Sequence, residues 1–217
     1  RLALVTGASA GIGAALARGL AARGYDLALT ARRQDRLETL AEELRLRFGV
    51  EAMVLPEDLA DPAAPARILA ATEAAGRDVD CLVNNAGYGL PGIFVETGWQ
   101  EQADFLQVLL HAPTELTHRV LSGMTERRFG RILNVASLAG LLPGSRGHTL
   151  YGATKAYLIR FSQSLHLEAR ASGVHVSALC PGFTWSEFHD VNGTREAARG
   201  ATPDWLWMGA DEVAESG

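Results

Sequence analysis

Tyr151 and Lys155 are the residues best suited to move a proton. Tyr151-Gly152-Ala153-Thr154-Lys155 opens a long helical pattern, and a helix places residues i and i+4 on one face. A free phenol has a pKa of about 10, too high for easy proton exchange at neutral pH. A fixed cation nearby favours tyrosinate and lowers that value. So tuned, a tyrosine can protonate an alkoxide or deprotonate an alcohol. The bland alternative is a helix with a tyrosine and a lysine one turn apart, so the company of the pair decides.

That company lies where strands end. Leu2 to Thr6 is a short apolar run, the mark of a buried parallel strand. It feeds Thr6-Gly7-Ala8-Ser9-Ala10-Gly11-Ile12-Gly13 and then an amphipathic helix to about Arg23. Glycines let the backbone approach a pyrophosphate, and free N–H groups at a helix start attract negative charge. The spacing is G-x-x-x-G-x-G, not the G-x-G-x-x-G of the general dinucleotide fingerprint. The alternative is a turn with no ligand. Asp26 to Ala31, the second strand, ends in Arg32-Arg33. An acid there would suit a ribose 2′-hydroxyl, whereas arginine suits a 2′-phosphate through its planar fork. Solvated charges at a helix start are the other reading.

The remaining pattern alternates in the same way. Gln34 to Phe48 has helical period, and Glu51 to Leu55 reads as a third strand followed by Asp58-Leu59. Asp61-Pro62 reads as N-cap and first residue of a helix. Val79 to Val83 runs into Asn84-Asn85-Ala86-Gly87, where asparagines can bridge neighbouring loops and a ligand. Trp99 to about Met124 is helical, interrupted at Pro113. Arg131 to Ala136 leads to Ser137, and Val174 to Cys180 leads to Pro181-Gly182. This is the pattern of an α/β, Rossmann-like, doubly wound parallel sheet in three layers, a single domain over residues 1–217. Gly7, Arg32, Asp58, Asn85, Ser137 and Pro181 all fall at strand carboxyl ends, the edge where such sheets bind ligands.

The totals narrow the classes. A net charge of −5 supplies no basic field for nucleic acid or an anionic membrane. No apolar run approaches the about 20 residues of a membrane span. Cys81 and Cys180 lie in apolar runs without metal spacing, and His118, His166 and His175 fit surfaces better than ligand sets. No signal-peptide pattern opens the chain, so a reducing cytoplasm is the default setting. Arg1 leads directly into a strand and Ala210 to Ala214 reads as a helix only begun, so a last element is expected beyond Gly217.

Taken together, these motifs resemble a classical short-chain dehydrogenase/reductase over essentially the whole chain. Thr6 to Gly13 is similar to that family's T-G-x-x-x-G-x-G cofactor turn, with Gly7, Ser9, Gly11, Ile12 and Gly13 as contacts. Asp58 and Leu59 stand where the adenine is met, and Asn85, Ala86 and Gly87 fall in its N-N-A-G. Ser137, Tyr151 and Lys155 match the active-site serine and the Y-x-x-x-K pair, and Pro181-Gly182 the P-G before the nicotinamide. The resemblance implies hydride transfer between NADP(H), or NAD(H), and a small-molecule carbonyl or alcohol. Tyr151 would supply the proton, Lys155 would lower the phenol's pKa and hold the ribose, and Ser137 would orient the reacting oxygen. Thr184 and Ser186 would contact the nicotinamide amide or phosphates, although the family usually has Thr at the second position. It also implies a homodimer or homotetramer.

Two stretches need separate treatment. The family usually carries a relay asparagine in the helix after N-N-A-G, where Val108-Leu109-Leu110-His111-Ala112 places Leu109. Leucine cannot hold a water by hydrogen bond, and His111, two residues on, faces elsewhere. Either the relay is rerouted or activity is reduced. That departure is what favours the second reading, a non-catalytic NADP-binding sensor or interaction module. In the expected lid, about 183–210, Phe183, Trp185, Phe188, Trp205, Trp207 and Met208 either line a substrate pocket, Trp185 foremost, or pack the lid against the body or a neighbour. Tyr88, Leu90 and Pro91 are further candidates for the same wall.

Overall fold

The computed structural model describes residues 1–185 and 203–217. Six strands, β1 (Leu2–Thr6), β2 (Asp26–Ala31), β3 (Ala52–Pro56), β4 (Val79–Asn84), β5 (Gly130–Val135) and β6 (Val174–Leu179), form one sheet in the order β3-β2-β1-β4-β5-β6. Every pairing in it is parallel. The chain winds outward from β1 in one direction and from β4 in the other. A crevice must therefore open between the carboxyl ends of these two strands.

Alternation along β1 explains the layers. Leu2 and Leu4 point to one face, Ala3 and Val5 to the other, and all four are buried. The first face is covered by α3 (Ala64–Ala74), α5 (Ala112–Glu126) and α6 (Thr149–Ala169), through side chains such as Ile68, Leu116 and Leu165. The second face is covered by α1 (Gly11–Ala22), α2 (Gln34–Phe48) and the short C-terminal α7 (Ala210–Glu215), through Leu16, Leu37, Leu44 and Ala214. This is the three-layer αβα sheet that the pattern predicts.

Two local expectations are corrected. α3 starts at Ala64, not at Pro62. The Asp61 carboxylate accepts from the Ala63 N–H at 2.9 Å and pairs with Arg67 at 2.8 Å, closing a turn ahead of the helix, and the proline in the first helical turn is Pro65. Nor does Pro113 break the helix after β4. α4 (Trp99–Leu106) passes through a π-helical segment, Gln107–His111, into α5. Proline lacks an N–H and its ring crowds the carbonyl four residues back, which here belongs to Leu109. A widened turn ahead of Pro113 accommodates both demands without ending the helix.

Beyond β6, Phe183–Trp185 and Trp207–Gly209 pair in parallel as a separate two-stranded ribbon, β7 and β8. Ser186 and Phe188 lie outside the described residues.

Candidate active site

The glycine turn between β1 and α1 is pressed against the end of β4 by hydrogen bonds that read directly off the sequence. The Thr6 hydroxyl donates to the Val83 carbonyl at 3.3 Å and accepts from the Asn85 and Ala86 N–H groups at 2.9 and 3.0 Å. The Asn85 amide donates to the Thr6 and Gly7 carbonyls at 2.9 and 3.2 Å. Only bare backbone fits inside this clasp. A Cβ on Gly7, which has φ +65°, would stand 2.8 Å from Ala86 Cα, and one on Gly13 would stand 2.4 Å from the Gly7 oxygen. α1 starts without a side-chain cap or an acid in its first turn, so its leading N–H groups keep their affinity for an anion.

At the end of β2 the Arg33 guanidinium donates to the Ser9 hydroxyl, at 3.1 and 3.3 Å. That bond folds a cation over the glycine turn. Arg32 is exposed and lines the same cleft, as do Asp58 and Leu59 after β3. The Asp58 carboxylate accepts from the Ala60 N–H at 3.0 Å, which fixes the loop.

The cleft has a volume of about 1340 Å³ and extends from the glycine turn to the start of α6. Gly7, Ser9, Gly11, Ile12, Arg32, Arg33, Asp58, Leu59, Asn85, Ala86, Gly87, Ser137, Tyr151, Lys155, Pro181, Gly182 and Thr184 all line it. Among the described residues, Leu90 of the suggested wall does not, and neither do Gly13 and Trp185. Gly13 is buried in the clasp, where it serves packing, and Trp185 stacks on Trp207 with ring centroids 4.3 Å apart. Trp185 therefore sits in the ribbon, the packing alternative for these aromatics, while Phe183 of the same ribbon does reach the cleft. Tyr88 and Pro91 line it as well.

Ser137 and Tyr151 line the same stretch of the cleft. Ser137 is held by its own turn, its oxygen accepting from the Ala139 N–H at 3.1 Å. Burial pushes the Tyr151 phenol above its ordinary value. The Lys155 ammonium faces the Tyr151 ring, as the i, i+4 spacing implies, 5.7 Å from its centroid, and donates to the Val135 carbonyl at 2.7 Å. The downward pull on the protonated phenol comes from the Ser137 hydroxyl. Burial in turn lowers the Lys155 pKa to about 8, with the Cys180 thiol opposing that fall.

Leu109 is buried beside this group. A Cβ on Gly87 would lie 3.6 Å from the Leu109 side chain and 3.8 Å from Lys155 Nζ. Leucine thus abuts the lysine's pocket, and His111 is exposed.

Sequence reasoning missed the scaffold beneath the site. The Asn84 amide donates to Asn134 Oδ1 at 2.8 Å and to the Thr117 hydroxyl at 3.1 Å, and the Asn134 amide donates to the Ser162 hydroxyl at 2.9 Å. All four are buried. A polar residue in an otherwise apolar β5 run was the available signal. The two cysteines are free: Cys81 is a core residue whose thiol burial pushes up to about 12, while Cys180 is only partly buried and sits near Lys155. Among the described residues, none of the helices is long and apolar enough to cross a membrane, and no group of three or more His, Cys, Asp or Glu could hold a metal.

A family model described as short chain dehydrogenase matches residues 1–197. Nodulation protein G of Rhizobium sp. (strain N33) is 39% identical over all of this chain and 87% of its own length. The 3-oxoacyl-(acyl-carrier-protein) reductase FabG of Escherichia coli (strain K12) is 36% identical over the same shares. Among solved structures, a short-chain dehydrogenase from Sphingobium yanoikuyae in complex with NADPH superposes with a TM-score of 0.90 at 35% identity, covering 99% of this chain and 81% of its own.

Proposed function

The chain belongs to the short-chain dehydrogenase/reductase family, and on that premise we propose that it transfers a hydride between NADP(H) and a carbonyl or alcohol substrate, with Tyr151 as the general acid/base. The observation that carries the reading is that Ser137, Tyr151 and Lys155 line the same cleft as the glycine clasp.

The residues fit such a cofactor. The backbone at Gly7 admits no side chain, and the start of α1 would receive the pyrophosphate. Arg33, folded over Ser9, and Arg32 would meet a 2′-phosphate, which an NAD(H) site has no need to do. When bound, the cofactor supplies or accepts the hydride at the substrate carbon. The protein contributes position and a proton. Ser137 orients the substrate oxygen by hydrogen bond. Tyr151, whose raised pKa keeps it protonated at neutral pH, donates its proton to that oxygen as negative charge develops there. Lys155, charged below about pH 8, stands close enough to favour the resulting tyrosinate. In alcohol oxidation the proton travels the other way.

NADPH oxidation followed at 340 nm with a panel of ketones and aldehydes tests this. Tyr151→Phe keeps the ring and removes the proton, so turnover should fall by about 10²-fold or more while NADPH still binds. Arg33→Ala should weaken NADPH and leave NADH nearly unchanged. Tight NADPH binding without turnover on any carbonyl would identify a binding module instead.

A further inference from the structure

Directly after Ser137, large aliphatic side chains stand in solvent: Leu138 is 43% exposed, and Leu141 and Leu142 are each 59% exposed. The Leu138 N–H donates to the Pro181 carbonyl at 2.9 Å, the Gly140 N–H to the Ser137 carbonyl at 3.0 Å and the Leu141 N–H to the Leu138 carbonyl at 2.9 Å. Gly140 is wedged on α6, where a Cβ would come within 2.6 Å of Lys155 C and 2.7 Å of Ala156 N. The turn that fixes the Ser137 hydroxyl therefore also fixes the backbone of Leu138 and Leu141, and Leu142 follows it directly. Exposed apolar surface next to a cleft marks a binding surface.

Leu138 and Leu142 line the same cleft as Ser137 and Tyr151, and Pro143, Val108 and Phe183 continue the lining. The arginines that line the cleft, Arg32 and Arg33, follow β2. In the strand order that is three spacings from β5, about 14 Å. Lys155 is engaged by the Val135 carbonyl. Its charge remains, but among the described residues Glu57, Asp58 and Asp104 on the lining match Arg32, Arg33 and Lys155 in number, so with an anionic cofactor in place the cleft has no excess of positive charge to draw a substrate carboxylate.

We propose that Leu138 and Leu142 seat the apolar arm of an uncharged ketone, so that the preferred substrate class is a neutral carbonyl compound with a bulky aliphatic or aromatic substituent rather than an acid-bearing one. This rests on the reductase reading above. The occupant is the substrate's own arm because the leucines, the hydroxyl pair and the glycine clasp border one continuous space.

The test compares kcat/KM for 2-butanone, 2-octanone and the anionic 7-oxooctanoate, with NADPH, in the parent, Leu142→Asp and Leu142→Met, with Tm as a check on folding. Each buried methylene adds up to about fourfold. The parent should therefore prefer 2-octanone to 2-butanone by about tenfold or more, and 2-octanone to 7-oxooctanoate by a similar factor. Leu142→Asp should cut the octanone-to-butanone ratio by about tenfold, and Leu142→Met should restore it. A flat series, a preference for the keto acid, or a ratio indifferent to Leu142→Asp would overturn the inference while leaving the reductase reading intact. No NADPH oxidation with any of the three, while other carbonyls of the panel are reduced, overturns this inference alone; no oxidation across the whole panel overturns the reductase reading, and this inference falls with it.

Discussion

Burial sets the proton positions of the central pair. Tyr151 holds its proton because desolvation penalises tyrosinate more than the Ser137 hydroxyl favours it. Lys155 yields its proton early because the ammonium is fully enclosed. On the proposed mechanism, reduction needs the charged lysine, so kcat should be level at neutral pH and fall as pH rises through about 8. Lys155→Met should lose that limb along with most of the activity. Stability should move in the opposite direction. The folded-state pKa of about 8 lies below the ordinary lysine value of 10.5, so the folded protein releases this proton first. Below pH 8 the fold encloses a charge, and between about 8 and 10.5 the penalty is relieved. Urea unfolding of the parent, referenced to Lys155→Met, should show a gain on the order of 3 kcal/mol across that window. Leu109, against the same pocket, carries no group that could hold a relay water. Turnover of Leu109→Asn should exceed that of the parent if proton supply limits the rate, and an identical rate across pH would count against a slowed relay.

At the scale of elements, the site is assembled by turns that leave no room. The Leu138–Gly140 turn lies against the backbone of α6, so it couples Ser137 to the helix that carries Tyr151 and Lys155. Gly140→Ala would drive a methyl into backbone atoms that cannot rotate away. It should lower kcat more than it weakens NADPH binding and reduce Tm, because the Ser137 hydroxyl shifts relative to the phenol. Unchanged kcat and Tm would show that the contact is not held in solution. The α4–α5 region makes a related point about what local pattern conveys. A proline at 113 signals an interruption, but period alone cannot say whether the chain breaks or widens by one residue. The choice of a π turn depends on Phe105, Leu109 and Leu116 all reaching the same core face.

Across the whole molecule, one buried polar network joins the layers. Thr117 of α5, Asn84 of β4, Asn134 of β5 and Ser162 of α6 are bonded in that order, at a depth where an unsatisfied amide costs about 1–3 kcal/mol. Asn134→Leu would take one of three acceptors from the Asn84 amide and set an apolar side chain against it and the Ser162 hydroxyl. A loss of about 2–3 kcal/mol is expected, or roughly 5–10 °C in Tm for a chain of this size. A thermal melt at or above the parent's Tm would show that the network is dispensable.

Much of the fold and most of the cleft lining were legible because their causes are local. Glycine at 7 permits a positive φ, Gly7 and Asn85 each follow directly on a strand, and Tyr151 and Lys155 are one helical turn apart. Those features follow from covalent geometry and from the two periods, 2 and 3.6, of strand and helix. What only the tertiary structure decided depends on neighbours distant in the chain. The Val135 carbonyl receives the lysine's hydrogen bond, Trp185 pairs with Trp207 rather than with the cleft, Asn134 finds Asn84, and the turn that carries Leu138 is held by Pro181 and α6. Desolvation and hydrogen-bond competition act through space and leave no period in the sequence from which to read them.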